Sequence, residues 1–462
     1  MGGDCEIRKH IKSKVAPEAW HSGPVALDEE KHGSWVIVND TLTWLHRLMG
    51  SYSLDALLGT IVGRYLQPLR ESPVSYVVIC TDESSRVPLE KRRVQIKRSV
   101  SFHRRGHKRV KARAEGDDDD EPIADEEAEP ETEEARMLRE SQEDARKPYP
   151  EAARLCSEGV CYVHPRTGLE VKEAVDVPRL LHHRVMRDTL WGELVRYLRS
   201  DRVDIPAHRA LILDHFAEGP WVFTSDGARL RSDLKHEFGE GEMMCIYWSC
   251  VFDKYACVID TIDTDLMPLA VHYLSNTHPA REKPLIWRYD TTCHVDLRVM
   301  TDCIHRRWVC SSLDFMVGFI LSGTDYFEKG QVLMQLGCMK ILHGVQACAN
   351  HVAQILDDGA GIAHYKMLLR FLYNDYMTSR VSASKAINSS GALRAGDPLP
   401  TLDALREQCA EKNYKSFRVA SEEVIRETYD TLLKHIYYWS MDTRRIPRAH
   451  KLPRPLLSVA DR

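Results

Sequence analysis

Three short apolar runs that each end at or near an aspartate constrain the fold of this chain most strongly. The runs SWVIVN (Ser34–Asn39), SYVVICT (Ser75–Thr81) and YACVID (Tyr255–Asp260) have the length and the apolar content of buried strands. Helical periodicity fills Thr41–Leu66 between the first two runs, and Pro68 is expected to end that helix. A strand, a helical crossover and a second strand form a βαβ unit, which predicts a parallel pair.

The remaining apolar segments extend this α/β pattern. Ala210–Leu213 is predicted to be a further core strand, and Leu313–Leu321 is predicted to be a buried helix. The pattern then stays helical up to about Ser440. We therefore predict an α/β fold with a central, mostly parallel sheet flanked by helices and with a helical C-terminal region.

The segment Ser99–Pro150 differs in composition from its surroundings. A basic run is followed by an acidic one, and residues 115–147 hold 16 acidic against 4 basic residues. Few apolar residues are present, so the segment is predicted to be largely disordered. The expected organisation is one catalytic domain in two halves, 1–98 and 151–330, separated by a charged insert at 99–150. A helical region at 331–440 and a basic Pro-rich tail at 441–462 follow.

Composition limits the compartment and the partners. No stretch has the uninterrupted apolar length of a membrane span, and the first residues lack the apolar core of a secretory signal. The 13 cysteines are scattered and odd in number, which indicates reduced thiols in the nucleus or cytoplasm. Outside residues 115–147 the net charge is +7, although the whole chain carries -5. A mildly basic body favours a polyanionic partner. The lack of an apolar span predicts no membrane partner.

Carboxylates gather after the predicted strands. Asp40 and Asp82 follow the first two runs, and Asp263 and Asp265 follow the third. The carboxyl ends of parallel strands meet at one edge of a sheet, where like charges would repel one another. The G-E-G-E segment Gly239–Glu242 adds two more carboxylates. Mg²⁺ prefers carboxylate oxygens, although an aspartate at a strand end also serves as a helix cap or a turn residue.

The order of these motifs resembles the flap endonuclease/XPG superfamily of 5′-nucleases. That family begins with Met-Gly and a V-A-P-x-A stretch, as at Met1-Gly2 and Val15–Ala19, and its last metal-site aspartate lies in an L-G-x-D-Y segment, similar to Leu321–Tyr326. The similarity covers roughly residues 1–98 and 205–330, and it implies a PIN-like 5′-nuclease fold. The seven carboxylates that match the family's metal site are Asp40, Asp82, Glu240, Glu242, Asp263, Asp265 and Asp325.

This resemblance implies a two-metal nuclease that acts on DNA in a structure-specific way. Asp40, Asp82, Glu240 and Glu242 would hold one Mg²⁺, for which Mn²⁺ can substitute. The second ion would be held by the remaining carboxylates of the set, Asp263, Asp265 and Asp325. Two ions about 4 Å apart can activate a water and stabilise the leaving oxygen of a phosphodiester. Lys91 and Arg98 would act as catalytic residues by polarising a phosphate.

A related family, the 5′→3′ exoribonucleases, offers an alternative. Lys91, Gln95 and Arg98 fall at i, i+4 and i+7, one face of a helix, and the exoribonucleases use the same residue types to line a pocket for a 5′ phosphate. The separations of 23 residues from Glu240 to Asp263 and of 60 from Asp265 to Asp325 are closer to the flap endonucleases. DNA is therefore the preferred partner and RNA the alternative. A non-catalytic nucleic-acid-binding scaffold on the same fold is the third possibility.

Some family features are not found in the sequence. Glu328–Met339 does not match the Gly-x-Gly hairpin with which flap endonucleases grip duplex DNA, and no sliding-clamp motif is recognisable near the C-terminus. The tryptophans beside the motifs are expected to pack in the core rather than to stack on bases. These tryptophans are Trp35, Trp44 and Trp248.

Overall fold

A computed structural model of the 462-residue chain gives the fold. Its described residues are 3–48, 50–71, 73–83, 149–165, 167–324, 327, 332–333, 336–357, 359–384, 399–411 and 419–440.

Nine of the described strands form one mixed sheet in the order β1-β14-β13-β12-β2-β4-β9-β10-β11. The strands of this sheet are β1 (Trp20–Ser22), β2 (Trp35–Asp40), β4 (Val74–Cys80), β9 (Ala210–Asp214), β10 (Trp221–Thr224), β11 (Gly227–Leu230), β12 (Ala256–Asp260), β13 (Leu285–Asp290) and β14 (Cys293–Asp296). Two small antiparallel sheets hold β3 (Ser51–Tyr52) with β8 (Val175–Asp176), and β5 (Arg154–Cys156), β6 (Gly159–Val163) and β7 (Glu170–Glu173).

The five central strands, from β13 to β9, run parallel, and the outer strands pair antiparallel. Side chains along β2 alternate between two cores: Val36 and Val38 belong to one, and Trp35 and Ile37 to the other. A strand buried on both faces has no polar side, which is why its sequence is an almost continuous apolar run. The predicted central, mostly parallel sheet is confirmed.

Helices cover both faces of the sheet and build the C-terminal region. The helices before the charged insert are α1 (Gly3–His10), α2 (Glu29–His32), α3 (Thr41–Leu45) and α4 (Leu54–Glu71). The first four helices after it are α5 (Val177–His182), α6 (Arg184–Leu198), α7 (Gly241–Val251) and α8 (Leu266–His272). The later ones are α9 (Leu297–Arg307), α10 (Ser312–Leu321), α11 (Cys338–Ala347), α12 (Ala349–Val352), α13 (Gly361–Ser384), α14 (Leu402–Glu411) and α15 (Glu422–Trp439).

The predicted buried helix matches α10, which begins one residue earlier. Ser311 caps it, because its hydroxyl accepts a hydrogen bond from the Asp314 backbone N–H while the Asp314 carboxylate accepts one from the Ser311 N–H. This reciprocal arrangement satisfies two backbone donors at the start of the helix. Helices α11 to α15 continue the chain, so the predicted helical C-terminal region is confirmed.

The helix predicted over Thr41–Leu66 is wrong as a single element. The chain forms α3, leaves the helix, passes through β3 and resumes as α4. Gly50 lies between them with φ +114°, a conformation that glycine adopts readily and that a helix excludes. Pro68 lies inside α4 instead of ending it.

One sheet combines strands from both sides of the charged insert. Strands β2 and β4 precede it, and β9, β12 and β13 follow it. The predicted disorder of Ser99–Pro150 falls mainly on residues 84–148, which lie outside the described residues, and the predicted domain boundaries stay predictions. Among the described helices, none combines the length and the apolar character needed to cross a bilayer.

Candidate active site

The carboxyl ends of the parallel strands bring acidic residues together at one edge of the sheet. Asp40 is the last residue of β2, Asp82 follows the end of β4, and Asp263 follows the end of β12. The strand register sets Asp40 beside Cys80, and Cys80 beside Asp214. These three carboxylates thus lie at the carboxyl ends of parallel strands, and their role as metal ligands stays a prediction.

Asp40 lies at the centre of this group. Its side chain is buried, and one carboxylate oxygen accepts a hydrogen bond from the Thr261 hydroxyl at 3.0 Å. Burial, and then the negative charges of Glu242, Asp82 and Asp263, raise the pKa of the Asp40 carboxyl well above its usual range. Four carboxylates from four separate segments are therefore close enough to interact electrostatically.

The G-E-G-E segment packs against two of these carboxylates at the start of α7. The Gly241 backbone N–H donates to Asp82 Oδ1 at 2.9 Å, and a Cβ at Gly241 would lie 2.7 Å from Asp40 Oδ1. A side chain at this position would have to displace the Asp40 carboxylate, which explains the glycine between the two glutamates. Glu240 and Glu242 are themselves buried, although α7 brings them to the sheet edge.

The D-x-D segment follows β12 as a tight turn. The Asp263 backbone N–H donates to the Thr261 hydroxyl at 3.1 Å, and the Asp265 backbone N–H donates to Asp263 Oδ1 at 3.0 Å. Asp265 is buried at the start of α8. Thr261 therefore links the D-x-D segment to Asp40, because its hydroxyl donates to the Asp40 carboxylate and accepts from the Asp263 backbone N–H.

In the described parts of the chain, no three Asp, Glu, His or Cys side chains are arranged to hold a single metal ion. Local donors account for the orientation of the acids, since Asp40 accepts from Thr261, Asp82 from Gly241 and Asp263 from Asp265. The donor set still fits Mg²⁺ chemically: it consists of hard carboxylate oxygens, partly removed from water, whose mutual repulsion a divalent cation relieves.

A buried polar group behind α7 was missed by the sequence reasoning. Asp214 Oδ2 accepts hydrogen bonds from Trp248 Nε1 at 2.7 Å and from His236 Nε2 at 2.6 Å. His236 Nδ1 accepts from the Phe238 backbone N–H, which leaves the proton on Nε2. Asp214 directly follows the predicted strand Ala210–Leu213, so the rule that selected Asp40 would have selected it too.

A second buried histidine contacts Thr81, the residue before Asp82. His215 Nδ1 and the Thr81 hydroxyl are 2.7 Å apart, and both side chains are buried. The Glu83 backbone N–H donates to the Gly239 carbonyl at 2.8 Å, which ties the loop after β4 to the G-E-G-E segment. The two metal motifs on this side are thus held together by the backbone.

Four predicted site residues lie outside the described residues. They are the last carboxylate of the metal set and the three residues of the predicted phosphate-binding face, namely Asp325, Lys91, Gln95 and Arg98. Their roles stay predictions. The comparisons with known proteins give no match, either to a protein-family model or to a curated protein.

Proposed function

We propose that this chain is a metal-dependent 5′-nuclease that hydrolyses phosphodiester bonds in DNA. The observation that carries the proposal is the gathering of Asp40, Asp82 and Asp263 at the carboxyl edge of the parallel strands, where Gly241 contacts the first two and Thr261 links the first to the third. Burying a carboxylate among other carboxylates destabilises the fold unless a cation offsets the repulsion. A cluster of this kind is therefore expected where divalent ions bind.

The site residues divide between two Mg²⁺ positions as the family resemblance implies. Asp40, Asp82, Glu240 and Glu242 would hold one ion. The other would be held by Asp263, Asp265 and Asp325. Divalent ions at such a site lower the pKa of a bound water and stabilise charge on the phosphate oxygens. Within the described chain, the Thr261 hydroxyl and the Gly241 N–H would orient Asp40 and Asp82, and the Asp265 N–H would orient Asp263.

The sheet supports a PIN-like fold for this nuclease. Five parallel strands carry the acidic residues at their carboxyl ends, which is where open α/β sheets bind ligands. A cleft that Asp40 lines opens at this edge. Nucleic acid is the partner that suits a polyanion-binding site of this chemistry.

Lys91, Gln95 and Arg98 favour a second candidate, a 5′→3′ exoribonuclease. Purified chain with Mg²⁺ should be incubated with 5′-labelled DNA flaps, single-stranded DNA and RNA of matched sequence. A DNA nuclease cleaves the flaps fastest, whereas an exoribonuclease degrades the RNA from its 5′ end. Absence of cleavage on all three substrates, with Mg²⁺ or Mn²⁺, would refute both and leave the non-catalytic scaffold.

A further inference from the structure

A cleft of about 320 Å³ opens beside Asp40, at the carboxyl edge of β2, β12 and β13. Its volume falls within the range of pockets that bind small ligands. Residues of α3 and α4 form the opposite wall. Three carboxylates and three guanidinium groups line it together with two aromatic rings, namely Asp40, Asp260, Asp290, Arg47, Arg64, Arg288, Trp44 and Tyr289.

Three guanidinium groups line this cleft. Arg64 and Arg288 both pair with Asp260 Oδ2, at 3.3 and 2.6 Å respectively. A guanidinium carries five N–H donors, so a pair through one nitrogen leaves donors for another acceptor and fixes the plane of the group. Arg47 lines the same cleft with an exposed side chain, and its positive charge acts on the carboxylate of Asp290, another lining residue. Each guanidinium thus has a carboxylate nearby and keeps further N–H donors, which a phosphate with several oxygen acceptors can use.

Planar groups lie next to these cations. Trp44 is half-buried: it packs against the core and also lines the cleft, so the prediction of a purely core role fits Trp35 and Trp248 better. The Arg64 guanidinium lies 4.6 Å from the centre of the Trp44 ring. The Arg8 guanidinium likewise lies 4.3 Å from the centre of the Tyr289 ring. Aromatic and guanidinium planes are the surfaces on which nucleobases stack.

We propose that this cleft binds one nucleotide of the substrate strand, next to the bond that is cleaved. Arg47 and Arg288 bind its phosphate, and its base stacks against the plane formed by Trp44 and Arg64. Asp40 lines the cleft and also belongs to the carboxylate cluster through its contacts with Thr261 and Gly241, so a nucleotide held here lies beside the cluster. This inference rests on the proposed nuclease function, and it adds where the strand is held.

The combination of groups favours a nucleotide over simpler ligands. Inorganic phosphate would bind the guanidinium groups but would not contact the rings of Trp44 and Tyr289. An apolar ligand would bury the cations against carbon, which costs free energy. A phosphate joined to a planar base uses both sets of groups at once.

Calorimetric titration in EDTA tests the cleft without any cleavage. The probes are deoxyadenosine 5′-monophosphate, a short single-stranded oligodeoxynucleotide and inorganic phosphate. We expect saturable binding of the first two, with the oligonucleotide tightest and phosphate weakest. Arg47→Ala and Trp44→Leu should each weaken oligonucleotide binding by about tenfold or more. Trp44→Phe keeps a ring and should restore most of the affinity, and Arg196→Ala, which changes an exposed arginine on α6, should have no effect.

Several results would overturn the inference. These are no saturable binding of either nucleotide probe, unchanged affinity in Arg47→Ala, or phosphate binding as tight as the nucleotides. A mononucleotide that binds more tightly than the oligonucleotide would also refute it, since the cleft would then serve a free nucleotide. Nucleotide binding in EDTA without cleavage in Mg²⁺ would refute the nuclease and leave the cleft; cleavage unaffected by Arg47→Ala would refute the cleft and leave the nuclease.

Discussion

Gly241 is the residue at which the candidate metal motifs approach each other most closely. Its N–H contacts Asp82, and its Cα faces Asp40. The Asp40 carboxylate is buried and held by Thr261, so it has little room to move away from a new methyl group. The space between two acids, rather than the backbone conformation, explains the glycine in this position.

Gly241→Ala should therefore displace Asp40 and lower the cleavage rate by about 10²-fold, since an error near 1 Å in a catalytic group has an effect of that size. Alanine favours a helix, so the melting temperature should not fall by a comparable amount. Gly63→Ala is the matched control, because a Cβ at Gly63 in α4 meets nothing within 4 Å. Normal turnover by Gly241→Ala would contradict the close packing of the two acids.

Asp214 accepts hydrogen bonds from residues on both sides of the G-E-G-E segment, so we expect it to position that segment. It anchors Trp248 within α7 and His236 before Glu240, and it lies on the neighbouring strand β9. Asp214→Asn keeps the size and removes the charge that both donors contact. Because groups that orient metal ligands typically contribute 10- to 100-fold to affinity, Mg²⁺ binding measured by calorimetry should weaken by about that factor.

The matched control for this change is Asp226→Asn, which lies exposed in the turn between β10 and β11. Circular dichroism melting identifies any loss of folding in either variant. A folded Asp214→Asn protein with wild-type Mg²⁺ affinity would show that Asp214 serves the core alone.

At the scale of elements, the buried strands were predictable and the breaks between helices were not. Strands β2, β4 and β12 each begin and end within one residue of the predicted runs, because burial on both faces demands a continuous apolar sequence. The α3–α4 break was missed, since its apolar residues keep helical spacing across Gly50. Pro68 was misjudged because tertiary packing retains α4 around it.

The candidate site was predictable where an acid follows a strand and obscure where contacts come from distant segments. Asp40, Asp82 and Asp263 follow that rule. Thr261, which joins Asp40 to Asp263, and His236, which pairs with Asp214, carry no pattern in the sequence, because their partners are set by the sheet order. Only the folded chain reveals such contacts.

The helix predicted from Lys91 to Arg98 gives a test at the same scale. If Lys91, Gln95 and Arg98 share one helical face and bind a terminal phosphate, a 5′-monophosphate end should be cleaved faster than a 5′-hydroxyl end. Arg98→Ala should reduce that preference, which initial rates on the two end-labelled substrates measure. Equal rates on both ends with the wild-type chain would leave this face as a solvated basic surface.

At the scale of the whole molecule, the charged insert lies between strands β4 and β9, which are neighbours in the sheet. Its acidic run begins at Glu115, in a chain whose other residues carry a net charge of +7, of which the insert's own basic run at residues 99–114 supplies +6. A tethered polyanion reaches an effective concentration in the millimolar range, so it can compete with nucleic acid for basic surfaces.

Deletion of Glu115–Asp144, with the basic run kept, should therefore tighten substrate binding at low salt. Affinities of the two proteins are compared at one ionic strength, because salt weakens both the intramolecular contact and the substrate contact. Substitution of the same residues by a neutral Gly/Ser linker controls for loop length. Unchanged or weaker binding after the deletion would indicate a loop without a gating role.

Metal-dependent hydrolysis by the carboxylate cluster is tested by comparing the cleavage activity of four proteins. Cleavage of a 5′-labelled DNA flap is followed as Mg²⁺ is titrated into wild-type chain, Asp263→Ala and Asp265→Ala, with Asp226→Ala as an exposed control. We expect Mg²⁺-dependent cleavage by the wild type and the control. The two site variants should lose activity by well above about 10²-fold, while all four proteins still bind the flap. Near-wild-type turnover by either site variant at saturating Mg²⁺ would contradict metal-dependent hydrolysis by this cluster.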